Sequence, residues 1–257
     1  MIRLSVITTV FNAAPYLRQS LDSVFAQTFN DFELILVNDG STDDSRNIML
    51  EYLDFPNVRM LENEYNEGIP TSRNRALLAA QGEYIAIHDG DDVSFTDRFE
   101  KEVDYLDKHD DITFLGSHAQ KINHNGDTIG SMVYPPKTTL EAFRLIRLKL
   151  NPIIDPSCMY RKEAVLKIGG YSMEESIRTA LDFHLWCRLL VNNYKMANLQ
   201  EPLIYYRVNP KGVTRTEHDK MVEATDIIEA IFWRRNFEHV SLNPKRFEQD
   251  IFTEVTN

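Results

Sequence analysis

Through the first 120 residues, short β-branched and apolar runs alternate with longer stretches in which apolar residues recur every three or four positions. Leu4 to Thr9, Phe32 to Val37, Val58 to Leu61, Tyr84 to Ile87 and Ile112 to Leu115 read as strands. Between them, Tyr16 to Thr28 sets Leu17, Leu21, Val24 and Phe25 on one helical face, and a helix from about Pro70 to Ala80 carries its proline in the first turn. Ser41 and Asp44 have capping-box spacing ahead of a helix through Met49 and Tyr52. Thr96 is placed to cap a helix whose apolar face is Phe99, Val103 and Leu106. This alternation predicts an α/β fold with a mainly parallel central sheet flanked by helices.

The second half is less regular. Leu140 to Leu150 has helical spacing, and Pro152 and Pro156 hold the next segment extended. A short strand at Cys158 to Tyr160 leads to a helix ending at Gly169-Gly170, a plausible C-cap. Asp182 to Leu190 reads as helix and Leu203 to Val208 as strand. From Glu217 to Asn236 a helix offers Met221, Ala224, Ile228, Ile231 and Phe232 as an apolar stripe. The pattern predicts one domain over 1–215, with a half at 1–120 and a half at 121–215, and a C-terminal helical extension at 216–257.

Composition narrows the function. The 257 residues carry a net charge of −11, which opposes a nucleic-acid binder relying on a positive field. Two cysteines, Cys158 and Cys187, are too few for a disulfide scaffold, no apolar run reaches membrane-spanning length, and the chain enters a strand without a cationic leader. The expectation is a cytoplasmic protein.

In open α/β sheets ligands sit at the carboxyl ends of strands. Here these ends read Thr8-Thr9-Val10-Phe11-Asn12, Asn38-Asp39-Gly40-Ser41 and His88-Asp89-Gly90-Asp91-Asp92. Three carboxylates within four positions repel one another, and a divalent cation resolves that conflict, with hard oxygen ligands suiting Mg²⁺ or Mn²⁺. The bland alternatives are a solvated acidic turn for 89–92, a turn carboxylate for Asp39, a surface helix arginine for Arg73, and a first-turn helix carboxylate for Asp182. Asp182 could instead be a general base, with His184 or Glu175 as competitors.

Together these segments resemble the family 2 glycosyltransferases, an inverting group with the Rossmann-like GT-A fold. The resemblance rests on Ser5-Val6-Ile7-Thr8-Thr9-Val10-Phe11-Asn12, Val37-Asn38-Asp39-Gly40-Ser41-Thr42-Asp43, Asn66-Glu67-Gly68 with Ser72-Arg73-Asn74, and Asp89-Gly90-Asp91-Asp92. It continues through Pro156-Ser157, Gly169-Gly170-Tyr171, Leu181-Asp182-Phe183-His184-Leu185-Trp186 and Tyr205-Tyr206-Arg207. It implies a nucleotide-sugar site built from Thr9, Phe11, Asn12, Asp39, Arg73 and Asp89, with Asp39 on the base, usually uracil, and Asp89 near the ribose. Asp91 would ligate Mn²⁺ or Mg²⁺, and Asp182 would be the catalytic base. The implied partners are a nucleoside diphosphate sugar and a saccharide or lipid-linked saccharide acceptor. Peripheral contact at the inner membrane face, through Arg144, Arg147 and Lys149 or Trp233-Arg234-Arg235, goes with such an acceptor.

Three positions depart from the family pattern. Phe11 stands where tyrosine is frequent, Leu181 replaces an acidic or amide residue, and Asn209 takes the place of a histidine metal ligand that His218 or water could replace. Rival readings are an inactive family member acting as a subunit or sugar-binding scaffold and an Asp-nucleophile phosphatase. The phosphatase reading lacks a second acid at the required spacing from Asp127. A calcium-binding EF-hand fails for want of a glycine at its sixth loop position, and a nicotinamide site for want of a Gly-x-Gly-x-x-Gly after the first strand.

Overall fold

The computed structural model describes residues 2–237 apart from 131, 134 and 211, with backbone alone at 213, 214 and 233–237. Strands β1 (Leu4–Val10), β2 (Phe32–Asp39), β3 (Val58–Asn63) and β4 (Tyr84–Ile87) pair in parallel in the order β3-β2-β1-β4. The sheet continues β7 (Met159–Arg161), β6 (Ile112–Ile122), β8 (Lys195–Arg207) and β5 (Val93–Ser94), with β7 and β5 reversed. The expected mainly parallel sheet is present.

The two-residue period of the strands sorts their side chains onto two cores. Leu4, Val6, Val10, Leu34 and Leu36 pack with α1 (Ala14–Phe25), α2 (Ser45–Glu51) and α4 (Arg98–Lys108). Ile7, Ile35, Val37, Ile85 and Phe114 face α3 (Ile69–Ala79), α6 (Lys162–Lys167) and α7 (Leu181–Val191). On that second face the Trp186 ring stacks on Phe114 at 5.4 Å. Ala224, Ile228 and Phe232 of α9 (His218–Phe237) join the same core, so this helix lies against the main body; Ile231, expected in its stripe, is 41% exposed. Side chains 233–235, and all of 238–257, lie outside the described residues.

Several local expectations are corrected. Ser41 and Asp44 form no capping box. Asp43 takes the amides of Ser45 (2.9 Å) and Ala14 (3.0 Å), and the Ser41 hydroxyl accepts from the Asn12 amide at 3.2 Å. Thr96 caps nothing, because α4 starts from Asp97 and the Thr96 carbonyl accepts from the Thr28 amide. The helix expected at 140–150 is α5 (Thr139–Arg147), begun by a Thr138–Glu141 capping box. It stops at Arg147 because Lys149 turns left-handed (φ 58°) and the Leu150 amide reaches back to the Leu145 carbonyl. Lys149 is therefore not on the helix with Arg144 and Arg147, and it pairs with Asp226 at 2.6 Å.

Strand β8 begins eight residues before the expected start at Leu203, because its polar first part satisfies buried backbone. Asn198 donates to the carbonyls of Pro136 (2.6 Å) and Pro152 (3.1 Å). At the amino ends of the strands, Glu33 is buried with both oxygens occupied. Oε1 accepts from the Ser5 hydroxyl and the Gln81 amide, each at 2.6 Å, and Oε2 meets Arg59 at 2.5 Å. Among the described residues, no helix is long and apolar enough to cross a membrane.

Candidate active site

The parallel register brings the ends of β1, β2, β3 and β4 together. Asp39 lies opposite Asn63 and is buried. Its Oδ1 accepts from Asn63 Nδ2 (2.6 Å) and the Glu67 amide (2.9 Å), and its Oδ2 accepts from the Gly68 amide (2.9 Å). The carboxylate thus fixes the loop entering α3, beyond a plain turn residue. Gly40 (φ 69°) permits this packing, since a Cβ there would lie 2.5 Å from the Tyr65 carbonyl carbon. Asn12, also left-handed at φ 52°, accepts through Oδ1 from the Thr42 amide at 2.8 Å and clasps the β1 and β2 loops together. Thr9 is half-buried at the end of β1, while Phe11 is 48% exposed beside this clasp, a free apolar face at the strand ends.

The loop after β4 stands on a buried polar support. Ser20 Oγ donates to the Asp89 carbonyl at 2.9 Å and sits 2.8 Å from His88 Nε2, while His88 Nδ1 lies 3.2 Å from Ser94 Oγ. Arg98 donates to Ser94 Oγ (3.1 Å) and to the Ile87 carbonyl (3.0 Å). Burial, with Arg98 nearby, pushes His88 down to about 3, so it is a neutral spacer. These residues hold the backbone from which Asp89, Asp91 and Asp92 project.

Asp91 Oδ2 accepts from Asn209 Nδ2 at 2.9 Å, so the residue replacing the expected histidine touches the proposed metal ligand directly; His218 begins α9 and is exposed. Asp92 is buried. Its Oδ1 accepts from the Arg207 amide at 2.7 Å, and its Oδ2 has no partner. Burial, then the charges of Asp91 and Asp89, push its carboxyl well up.

Arg73 is no surface arginine. It is buried on α3, and its Nη2 lies 2.6 Å from Asp155 Oδ2 and 3.2 Å from Asp89 Oδ1. Asp155, which sequence reasoning missed, heads a short 3₁₀ turn (Asp155–Ser157). Its only sequence signal is a place between Pro152 and Pro156, next to the Pro156-Ser157 pair. Asp182 is half-buried in the first turn of α7 and accepts from Asn151 Nδ2. Burial, then the charge of Asp155, raises Asp182 to about 6, against the pull of the Phe183 amide and Arg73. Burial likewise lifts Asp89 to about 7, with Arg73 opposing and Asp155 and Asp91 adding to the rise. The alternative bases fit less well: burial and Arg188 depress His184 to about 4, and Glu175 is 85% exposed beside Arg178.

A divalent cation suits this donor set. Asp89 and Asp91 offer hard oxygens from one short loop, and the crowding that raises Asp89 and Asp92 is the conflict a cation relieves. Among the described residues, no three or more acidic, histidine or cysteine side chains form a ready-made cage.

The curled α/β sheet with flanking helices and acidic loops at its carboxyl ends matches the GT-A fold of solved transferases. The pattern of Glycosyl transferase family 2 matches residues 5–169, and the chain belongs to that family. It is 30% identical to the O-antigen biosynthesis glycosyltransferase WbnJ of Escherichia coli, over 83% of this chain and 82% of that one. It is 27% identical to the E. coli UDP-Glc:alpha-D-GlcNAc-diphosphoundecaprenol beta-1,3-glucosyltransferase WfgD, over 87% and 84%. Among solved structures, S. aureus TarS 1-349 in complex with UDP-GlcNAc has the same fold, with a TM-score of 0.69 at 21% identity, covering 96% of this chain and 78% of that one. The mannosyltransferase PcManGT of Pyrobaculum calidifontis, in complex with GDP-Man and Mn²⁺, gives 0.67 at 17%, covering 93% and 70%. The chain is a glycosyltransferase, and its relatives include one named for O-antigen biosynthesis.

Proposed function

We propose that the chain transfers a hexosyl or N-acetylhexosaminyl group from a UDP-linked sugar to a hydroxyl of a saccharide or lipid-linked saccharide, in one inverting displacement. The observation that carries this reading is the placement of Asp182. It comes from the second half of the chain, is half-buried, and lies across Asp155 and Arg73 from Asp89 of the donor half. In the reaction, the acceptor oxygen bonds to the sugar's C1 as the bond from C1 to the diphosphate oxygen breaks, and the hydroxyl proton passes to Asp182. A base opposite the leaving group, with no protein nucleophile, gives inversion. Asp39 meets the base and Phe11 offers a face for stacking, with Thr9, Asn12, Asp89 and Arg73 completing the donor site. Mn²⁺ or Mg²⁺ on Asp91 and Asp89 would offset charge on the departing diphosphate.

The acceptor side supports work at the cytoplasmic face of a membrane. Leu148 and Leu150 are 66% and 51% exposed, directly ahead of Asn151, which touches Asp182, and Arg144 and Arg147 lie in the last turn of α5. Apolar tips with cationic neighbours suit an anionic bilayer surface, and WfgD is named for a diphosphoundecaprenol acceptor.

A panel of UDP-Glc, UDP-GlcNAc and GDP-Man tests the proposal, with and without Mn²⁺ and chelator, and with product anomers assigned by NMR. Metal-dependent turnover of a UDP-sugar with inversion is expected. Retention of configuration would refute the single displacement, turnover of the GDP sugar alone would refute the donor, and binding without turnover would make the chain a scaffold.

A further inference from the structure

We propose that Asp155 is a positioning residue joining the donor and acceptor halves of the site: it fixes Arg73 through one oxygen, and its charge acts together with that of Arg73 on the Asp182 carboxylate. This deepens the reading of Asp182 as the base and rests on it.

The backbone beneath Asp155 is held from several sides. The Cys158 amide donates to the Asp155 carbonyl (3.0 Å), the Ser157 amide and hydroxyl both reach the Ile154 carbonyl (2.8 and 2.7 Å), and the Ser117 amide donates to Ser157 Oγ (3.2 Å). The side chain is 15% exposed. One Arg73 nitrogen is shared between Asp155 and Asp89, and the Arg73 carbon lies 5.5 Å from the Tyr171 ring centroid, which leaves the guanidinium little freedom. Asp155 Oδ1 is enclosed and has no hydrogen-bond partner among the described residues. A buried carboxylate oxygen without a donor is costly, and such groups persist mainly where their charge is used.

The neighbours limit what that charge can act on. Tyr160, Tyr171 and Cys158 face Asp155, and all are pushed up by burial, so they stay neutral. Asp182 is faced by Asp155 from the turn, Arg73 from α3, Asn151 from the loop after α5, and the Phe183 amide on its own helix. Cys187 on α7, near Asp182 and Glu229 of α9, is raised by burial and neutral. Among the described residues, the ion-paired Asp155 and Arg73 thus act on the base with opposite signs. Asp155 favours the protonated acid and so makes the carboxylate a stronger proton acceptor; Arg73 does the reverse.

The pH profile of kcat reads this directly. In Asp155→Asn the acid limb should move down by about one pH unit, and kcat on the plateau should fall several-fold as the base weakens. UDP affinity, measured by calorimetry, should stay within about threefold, a change below 1 kcal/mol. Arg73→Gln should move the limb the opposite way, and Asp155→Glu should leave it near wild type. Should Asp155→Asn fail to fold, the upward shift in Arg73→Gln together with an unmoved Asp155→Glu carries the test. An unmoved limb in folded Asp155→Asn, or shifts of the same sign in Asp155→Asn and Arg73→Gln, would overturn the proposal. Near-normal turnover by Asp182→Asn would instead overturn the base itself, so the two failures are distinguishable.

Discussion

The two ends of the central strands both bury carboxylates, and they treat them in opposite ways. At the amino ends, Glu33 gives each oxygen a donor from Ser5, Gln81 or Arg59. At the carboxyl ends, Asp92 and Asp155 each keep an oxygen without a partner, and Asp89 and Asp182 are raised to about 7 and 6. Five carboxylates (89, 91, 92, 155 and 182) there face the buried guanidiniums of Arg73 and Arg207. The amino end is closed and serves stability. The carboxyl end crowds acidic groups whose mutual repulsion an incoming cation or proton relieves, an arrangement that clusters at functional sites.

The sharpest way to break this contrast is Asp182→Asn. Turnover should fall by about 10²–10⁴-fold with UDP affinity nearly unchanged. Stability should move the other way. Because the folded-state pKa lies above the usual 3.8, ionising Asp182 costs the fold stability as pH rises from about 4 through 6. At neutral pH the neutral amide should therefore raise Tm by about 2–4 °C, measurable by calorimetric unfolding. The wild-type kcat should fall as pH drops below about 6, where the base takes up its proton. A Tm that drops in Asp182→Asn would mean the carboxylate serves the fold, as Glu33 does.

Asp91→Ala should have the next largest effect. Removing one charged contact costs about 1.5–3 kcal/mol, or on the order of tenfold or more in UDP affinity measured with Mn²⁺ present. The difference between metal and chelator should vanish in this variant; a persisting metal enhancement would place the cation elsewhere. The smallest change in activity is expected from Glu33→Gln. Its amide presents a donor to Arg59 in place of an acceptor, so urea unfolding should show a loss of about 1–3 kcal/mol while kcat stays at wild type. A fall in kcat without a fall in stability would erase the distinction between the two ends.

The acidic strand ends were legible because Asp39, Asp89 and Asp91 directly follow apolar strands, where an α/β sheet exposes its ligand site. Asp182 was legible through the motif around it. Asp155 was not, since its partner Arg73 is 82 positions earlier and the chain between carries no periodic signal. The burial of Arg73 was hidden for the same reason: on helix spacing alone an arginine reads as solvated, and only two carboxylates from other segments make its burial tolerable. The misread cap at 41–44 shows local competition, with Asp43 one position away binding two amides at once. The first part of β8 escaped notice because Asn198 breaks the apolar pattern for reasons set by contacts far along the chain.

The short strand β5 has a consequence in time. Its partners within the sheet, Ile204 and Tyr205, and the Arg207 amide that grips Asp92, all belong to the final strand. On a ribosome the first four parallel strands can pair early, because their partners lie close in sequence, and Ser20 and Arg73 can already hold Asp89. By contrast, β5 and Asp92 gain their β8 partners only after more than a hundred further residues have emerged. Nascent chains would thus carry a formed four-stranded sheet long before the Asp92 end of the acidic loop is fixed. The final tethering of Asp92 then arrives as one late step of synthesis, and a chain cut short before residue 204 should lack it.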